Sequence, residues 1–256
     1  MKFKTVRIVV LLLILVVVAG NAWLTGLRST DWDIPLEVVI YPVNADGSEE
    51  TAAYISDLEE EVFRPVSRYM ASEAADYQVE LLEPVTVELA PEVDSLPPPA
   101  PFGGSVLQVM IWSLRLRWWA WQVETYDGPA NIRIFVLYFN PDRYKHLGHS
   151  LGLKEGQLCL VKAFADYRSS APNNVIITHE LLHTLGATDK YEPESGRPFF
   201  PDGFADPDRR PLYPQKRAEI MGGFIPESEE KGNMPEGLFQ TEVGPLTARE
   251  IGWKTE

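Results

Sequence analysis

The sequence predicts an α/β domain with a twisted mixed sheet and packed helices. Three observations carry that expectation. Short runs rich in β-branched residues recur along the chain. Helical stretches separate them, as parallel crossovers require. The last quarter, rich in proline, carries no periodic pattern beyond one short helix and reads as a small irregular lobe.

Taken in order, residues 36–42 (LEVVIYP) read as a buried strand. Residues 51–77 read as helix, ended or kinked at Pro65. Residues 85–89 (VTVEL) alternate and form a second strand, so strand, helix and strand predict a parallel crossover. The proline-rich stretch from Leu96 to Gly104 is a loop. Residues 105–123 form a very apolar helix with one narrow wet face at Gln108, Arg115 and Gln122. Its cluster of Trp112, Trp118, Trp119 and Trp121 reads as a helix packed behind a sheet, with contact at a membrane surface as the rival. Residues 132–139 (IRIFVLYF) are the strongest strand signal and are placed at the sheet centre. Residues 157–164 (QLCLVKAF) are another strand, in which Cys159 is a small buried residue. Residues 174–185 form a helix capped by Asn173 or Asn174 and stopped by Gly186. A helix over about Thr247 to Trp253 closes the chain.

Composition excludes several classes. The formal net charge of −14 argues against a nucleic-acid partner. The single cysteine, Cys159, excludes an intramolecular disulfide and a cysteine-built zinc site. Any metal must therefore use histidine and carboxylate ligands.

The N-terminus has the form of a targeting segment. Lys2, Lys4 and Arg7 precede an apolar run from Ile8 that meets no charge until Arg28. Residues 1–28 read as a membrane anchor (apolar residues 8–27) or, alternatively, a cleaved signal peptide. Either reading places the remainder, residues 29–256, outside the cytoplasm as one domain. Its upper lobe covers about 30–186 and its lower lobe about 187–256.

The chemistry concentrates in HELLHTLGATD, residues 179–189. His179 and His183 lie four residues apart, so on a helix their imidazoles share one face. Neutral imidazole is a good zinc ligand. Glu180 sits beside that face, where it can take a proton from a water that the metal acidifies. A catalytic zinc takes three protein ligands and an open position. Gly186 can reverse the chain in the left-handed conformation, which brings Asp189 back as the third ligand. Glu192, Glu194 and Glu219 lie downstream as alternatives, with Glu219 the foremost. His146 and His149 could form a second metal site, although surface positions suit them better. Asp202, Asp206 and Asp208 share a loop that could bind a structural Ca2+, although a solvated acidic loop is the simpler reading.

The pattern HExxHxxGxxD resembles the metzincin zinc peptidases, in the snapalysin-like minority that carries aspartate at the third position. The resemblance covers residues 174–191 and about 218–224. It implies a metzincin-like fold, a catalytic Zn2+ and a methionine turn at Met221, which two glycines follow. It further implies that the strand at 157–164, through Leu158, Leu160 and Val161, is an edge that pairs with an extended substrate. Many metzincins place a tyrosine near that turn. Here Phe224 stands instead, with Tyr191 and Tyr213 as substitutes. The expected function is a zinc endopeptidase of the cell envelope acting on protein or peptide substrates, with Glu180 as general base. The alternatives are a zinc amidase acting on cell-wall peptides and a non-catalytic envelope protein with a structural zinc. A His, His, Asp set would also suit iron or manganese.

Overall fold

In a computed structural model of the chain, the described residues are Arg7, 30–101, 103–153 and 157–253. Two-thirds of the fold is a layered α/β unit. The strand β1 (Leu36–Asn44) is followed by α1 (Glu49–Ser56) and α2 (Arg64–Asp76). Next come β2 (Val85–Leu89), α3 (Val106–Gln122), β3 (Ile132–Phe139), β4 (Leu151–Leu153), β5 (Leu158–Phe164) and α4 (Ser170–Leu185). The five strands form one mixed sheet in the order β2-β1-β3-β5-β4. All neighbours run parallel except β4, which pairs antiparallel with β5.

The expected strands at 36–42, 85–89 and 132–139 are all present, and β3 sits at the centre. Their near-continuous apolar sequence follows from burial on both faces. In β1, Leu36, Val38 and Ile40 face one core, while Val39, Tyr41 and Val43 face the other. The first core also receives Tyr54 and Ile55 of α1, Val66, Met70 and Ala74 of α2, and Ile177, Leu181, Leu182 and Leu185 of α4. The second is covered by α3, through Trp112, Leu116, Trp119 and Ala120, with Ala90 and Val93 beside them.

Four expectations need correction. The helix expected over 51–77 is two helices, and Pro65 lies in the first turn of α2, where its missing N–H costs nothing. The motif helix begins at Ser170, not at an Asn173 or Asn174 cap. Those asparagines lie inside the helix and bond outward. Asn173 bridges the backbone N–H and C=O of Phe164, and Asn174 donates to the Val62 carbonyl. The strand β5 is not the sheet edge. The edge is β4, which occupies the near half of β5 at Leu158–Leu160, and Leu158, Leu160 and Val161 are buried. Lastly, α3 does not present one narrow wet face. Its packed face is the narrow one, and its solvent side is largely apolar.

The segment after residue 186 is irregular, as expected. It contains two short strand pairs, β6 (Ala218–Glu219) with β9 (Thr241–Glu242) and β7 (Ile225–Pro226) with β8 (Gly232–Asn233), and the helix α5 (Pro245–Glu250). Polar clasps join it to the sheet unit. Glu73 of α2 accepts from the Val243 N–H at 2.7 Å, and Tyr77 donates to the Val243 carbonyl at 2.7 Å. The anchor or signal expected over 1–28 lies outside the described residues. Among the described residues, no helix is long and apolar enough to cross a membrane.

Two outcomes test this packing. Leu116→Ala removes a fully buried side chain from the helix that covers the second core, and should cost about 2–5 kcal/mol in a denaturant titration. Leu114→Ala, on the exposed side, should stay within about 0.5 kcal/mol. Glu73 gives a pH test. Burial pushes its carboxyl from 4.5 up to about 7, against the Val243 hydrogen bond. Between those values the folded state holds a proton that the unfolded chain has lost, so stability falls as pH rises from 4.5 to 7. Glu73→Gln should flatten that part of the curve, measured as unfolding free energy against pH.

Candidate metal centre

The centre is built by the last two turns of α4 and the reversal that follows. Gly186 terminates the helix with φ 110°, a left-handed value unfavourable for any side chain. Its N–H returns to the His183 carbonyl at 3.1 Å and that of Ala187 to the Leu182 carbonyl at 3.0 Å. The chain therefore doubles back under the helix and delivers Asp189 to the face carrying His179 and His183.

Each histidine is oriented by its inner nitrogen. His179 Nδ1 lies 3.0 Å from the Ile220 carbonyl oxygen, and His183 Nδ1 lies 2.8 Å from that of Ala187. A carbonyl only accepts, so both Nδ1 atoms carry the proton and both Nε2 atoms present lone pairs. The two Nε2 atoms stand 3.1 Å apart. Asp189 Oδ1 lies 3.2 Å from each of them. Three lone-pair donors thus converge on one point, which is unfavourable unless a cation lies among them.

The dimensions suit a small divalent ion. Ligand bonds of 2.0–2.1 Å in tetrahedral geometry separate ligand atoms by roughly 3.3–3.4 Å, close to the observed triangle. The side chains of His179, His183 and Asp189 could hold such an ion. Among the described residues, no other group of three metal-ligating side chains comes together. His146 and His149 are exposed, and so are Asp202, Asp206 and Asp208, so neither the second metal site nor the calcium loop is assembled. The donor set of two imidazoles and a carboxylate is zinc chemistry first, with iron and manganese admitted.

Burial alone would raise the Asp189 carboxyl, yet its contacts with His179 and His183 outweigh burial and hold it well below the usual carboxylate range. Burial pushes the Glu180 carboxyl up, partly offset by the two imidazoles. Glu180 is buried, and its Oε2 lies against Gly152 of β4, whose N–H bonds to the carboxylate. A Cβ on Gly152 would stand 2.7 Å from His183 Cβ and 2.8 Å from the Glu180 carbonyl oxygen. Only glycine lets the edge strand approach the motif helix this closely.

Met221 is fully buried in a short turn over Ile220–Gly222. Its contribution is through its backbone neighbours. The Ile220 carbonyl orients His179, and the Met221 carbonyl accepts from the Lys190 N–H at 2.8 Å. Glu219, the foremost rival for third ligand, is committed elsewhere. Its Oε1 accepts from Thr247 Oγ1 at 2.7 Å and the Gly244 N–H at 3.0 Å, and its Oε2 accepts from the Gly222 N–H at 2.8 Å. Glu192 is exposed and accepts from Ser195, and Glu194 is exposed as well. Tyr191 reaches the centre, with its ring 6.4 Å from that of His179. Burial and the neighbouring Asp189 push its phenol up to about 12. Tyr213 instead packs against Phe204.

Sequence reasoning missed the supports of Asp189. Lys190 is buried, and its Nζ donates to the Thr188 carbonyl and to Glu250 Oε2, the latter at 2.6 Å. Thr188 donates through N and Oγ1 to the same carboxylate. Asp189 is therefore held between two residues pinned to α5. The 60-residue separation of Lys190 and Glu250 leaves no signal in spacing.

Comparison with known proteins adds no assignment: no protein-family model matches the chain, and no curated protein matches it.

Metal titration gives the test. The full chain should bind one zinc ion, lost in His183→Ala and Asp189→Ala and retained in Glu219→Gln. Glu250→Gln, which touches no ligand, should weaken zinc affinity by about 10- to 100-fold, as loss of a ligand's supporting hydrogen bonds does. Unchanged affinity would mean that Asp189 does not depend on α5.

Proposed function

We propose that the protein is a zinc-dependent endopeptidase working outside the cytoplasm and tethered by residues 8–27. One observation supports this above the others. The converged lone pairs of His179, His183 and Asp189 lie beside the buried carboxylate of Glu180, and both adjoin an open sheet edge, β4. An open edge is a template for an extended peptide, whose main chain can add as a further strand. The edge strand is thus β4, with Gly152 touching Glu180, rather than the Leu158, Leu160 and Val161 positions of β5.

When bound, zinc supplies Lewis acidity toward a carbonyl oxygen and acidifies a water at its open position. The chain's own groups do the rest. Glu180 takes the proton of the attacking water and passes it to the departing amine nitrogen. Its burial shields that proton from bulk solvent. Tyr191, hydrogen-bonded to Asp189, would turn its phenolic hydrogen to the oxygen that gains charge as the carbonyl becomes tetrahedral. This fills the role for which Phe224 is unsuited.

Glu180→Gln separates binding from catalysis. It should keep one zinc per chain and lower turnover of a casein-type substrate by about 100-fold to 10,000-fold. Tyr191→Phe should lower kcat by roughly 10- to 1,000-fold with little change in KM. Peptide hydrolysis at the wild-type rate in Glu180→Gln would refute the mechanism. Cleavage of cell-wall peptides but not casein would point to the amidase alternative.

A further inference from the structure

The helix α3 is the anomaly of this surface. Its packed side, Trp112, Leu116, Trp119 and Ala120, closes one sheet core. Diametrically opposite runs a second apolar stripe. Leu107, Leu114, Trp118 and Trp121 are 65%, 64%, 61% and 71% exposed, with Met110 and Ile111 completing the row. Their positions recur every three or four residues, so they form one continuous face. Scattered exposed apolar residues are ordinary, but a contiguous stripe of this length marks an interaction site.

The chemistry of the stripe's flanks distinguishes its occupants. Between Val106 and Gln122 the helix has no acidic residue, in a chain of net charge −14. Its charges are Arg115 and Arg117, one on each side of the stripe. A second copy packed face to face would oppose arginine to arginine with no carboxylate between them. The N-terminal segment also brings only Lys2, Lys4 and Arg7 to its charged end. An anionic lipid surface satisfies both features, because head groups pair with the arginines while acyl chains take the apolar stripe. Tryptophan at such a boundary is favoured by its amphipathic ring.

Trp32 is buried and its Nε1 donates to the Ile251 carbonyl at 2.7 Å, which fixes the chain just before β1. The C-terminal end of α3 lies at the sheet end where β1 starts. Glu124, just beyond the helix, bonds Arg133 at 2.6 Å, and Arg133 is the register partner of Val39.

We propose that the exposed stripe of α3 is a membrane-docking surface, lying flat in the head-group region of a bilayer that carries anionic lipid. The proposal is independent of the metal centre. One consequence concerns access: Leu153 of β4 lines a groove with Val109, Met110 and Leu114, so docking sets the open sheet edge beside the lipid.

The test uses the full chain reconstituted into vesicles of phosphatidylcholine mixed with phosphatidylglycerol. Nitroxide labels are placed at Leu114→Cys and Trp118→Cys, with exposed Glu59→Cys as the reference; Cys159 is fully buried and takes no label. Spin relaxation by oxygen, which partitions into lipid, is compared with relaxation by a water-soluble nickel chelate. The oxygen-to-nickel ratio at 114 and 118 should exceed that at 59 several-fold, and should fall when Arg115 and Arg117 are both changed to Glu. Ratios equal to the reference would overturn the proposal in favour of a solvated face. Shielding from both agents with dipolar broadening would overturn it in favour of a second copy, and shielding without broadening in favour of the chain's own N-terminal segment.

Discussion

Two backbone carbonyls hold the candidate centre together. Those of Ile220 and Ala187 accept the Nδ1 protons of His179 and His183 and so turn both Nε2 lone pairs toward one point. Everything else in the site follows from keeping those carbonyls and Asp189 in register with α4. The carbonyl of Ala187 is placed by the Gly186 reversal. That of Ile220 is placed by the turn that buries Met221. A metal gains most where its ligands are already oriented, because their second nitrogens are then fixed by partners outside the coordination sphere.

The lower part of the molecule does this with almost no regular structure. Its strands are two residues long. Carboxylates organise it instead, Glu219 buried and Glu250 half-buried. Glu219 gathers Gly222, Gly244 and Thr247, and Glu250 gathers Thr188 and Lys190. Each is satisfied by several donors, which is the condition for such a group to position neighbours rather than destabilise them. This explains why an irregular segment can hold Asp189 within 3.2 Å of two histidines on a separate element.

Much of the sheet unit was legible because its strands are buried on both faces and therefore read as unbroken β-branched runs. The histidine pair was legible because four-residue spacing on a helix fixes a shared face, and Gly186 because its left-handed cap has a strong residue preference. The rest was illegible for identifiable reasons. Three residues, Leu151–Leu153, are too short to show alternation, so β4 leaves no signal and β5 reads as the edge. Asn173 and Asn174 look like caps but spend their side chains on Phe164 and Val62, a tertiary use with no local signature. The apolar side of α3 reads as buried because the sequence does not distinguish a face covered by a sheet from one left uncovered. Lys190 and Glu250 meet only after the chain has folded.

The site stands or falls with a three-ligand centre of two imidazoles and one carboxylate. X-ray absorption at the zinc edge of the loaded full chain tests it most directly. Four light-atom neighbours are expected at about 2.0–2.1 Å, with multiple scattering from two imidazoles, and Asp189→Ala, which should lose the ion, should give no such spectrum. A third imidazole, a sulfur neighbour, or a spectrum unchanged by Asp189→Ala would contradict it.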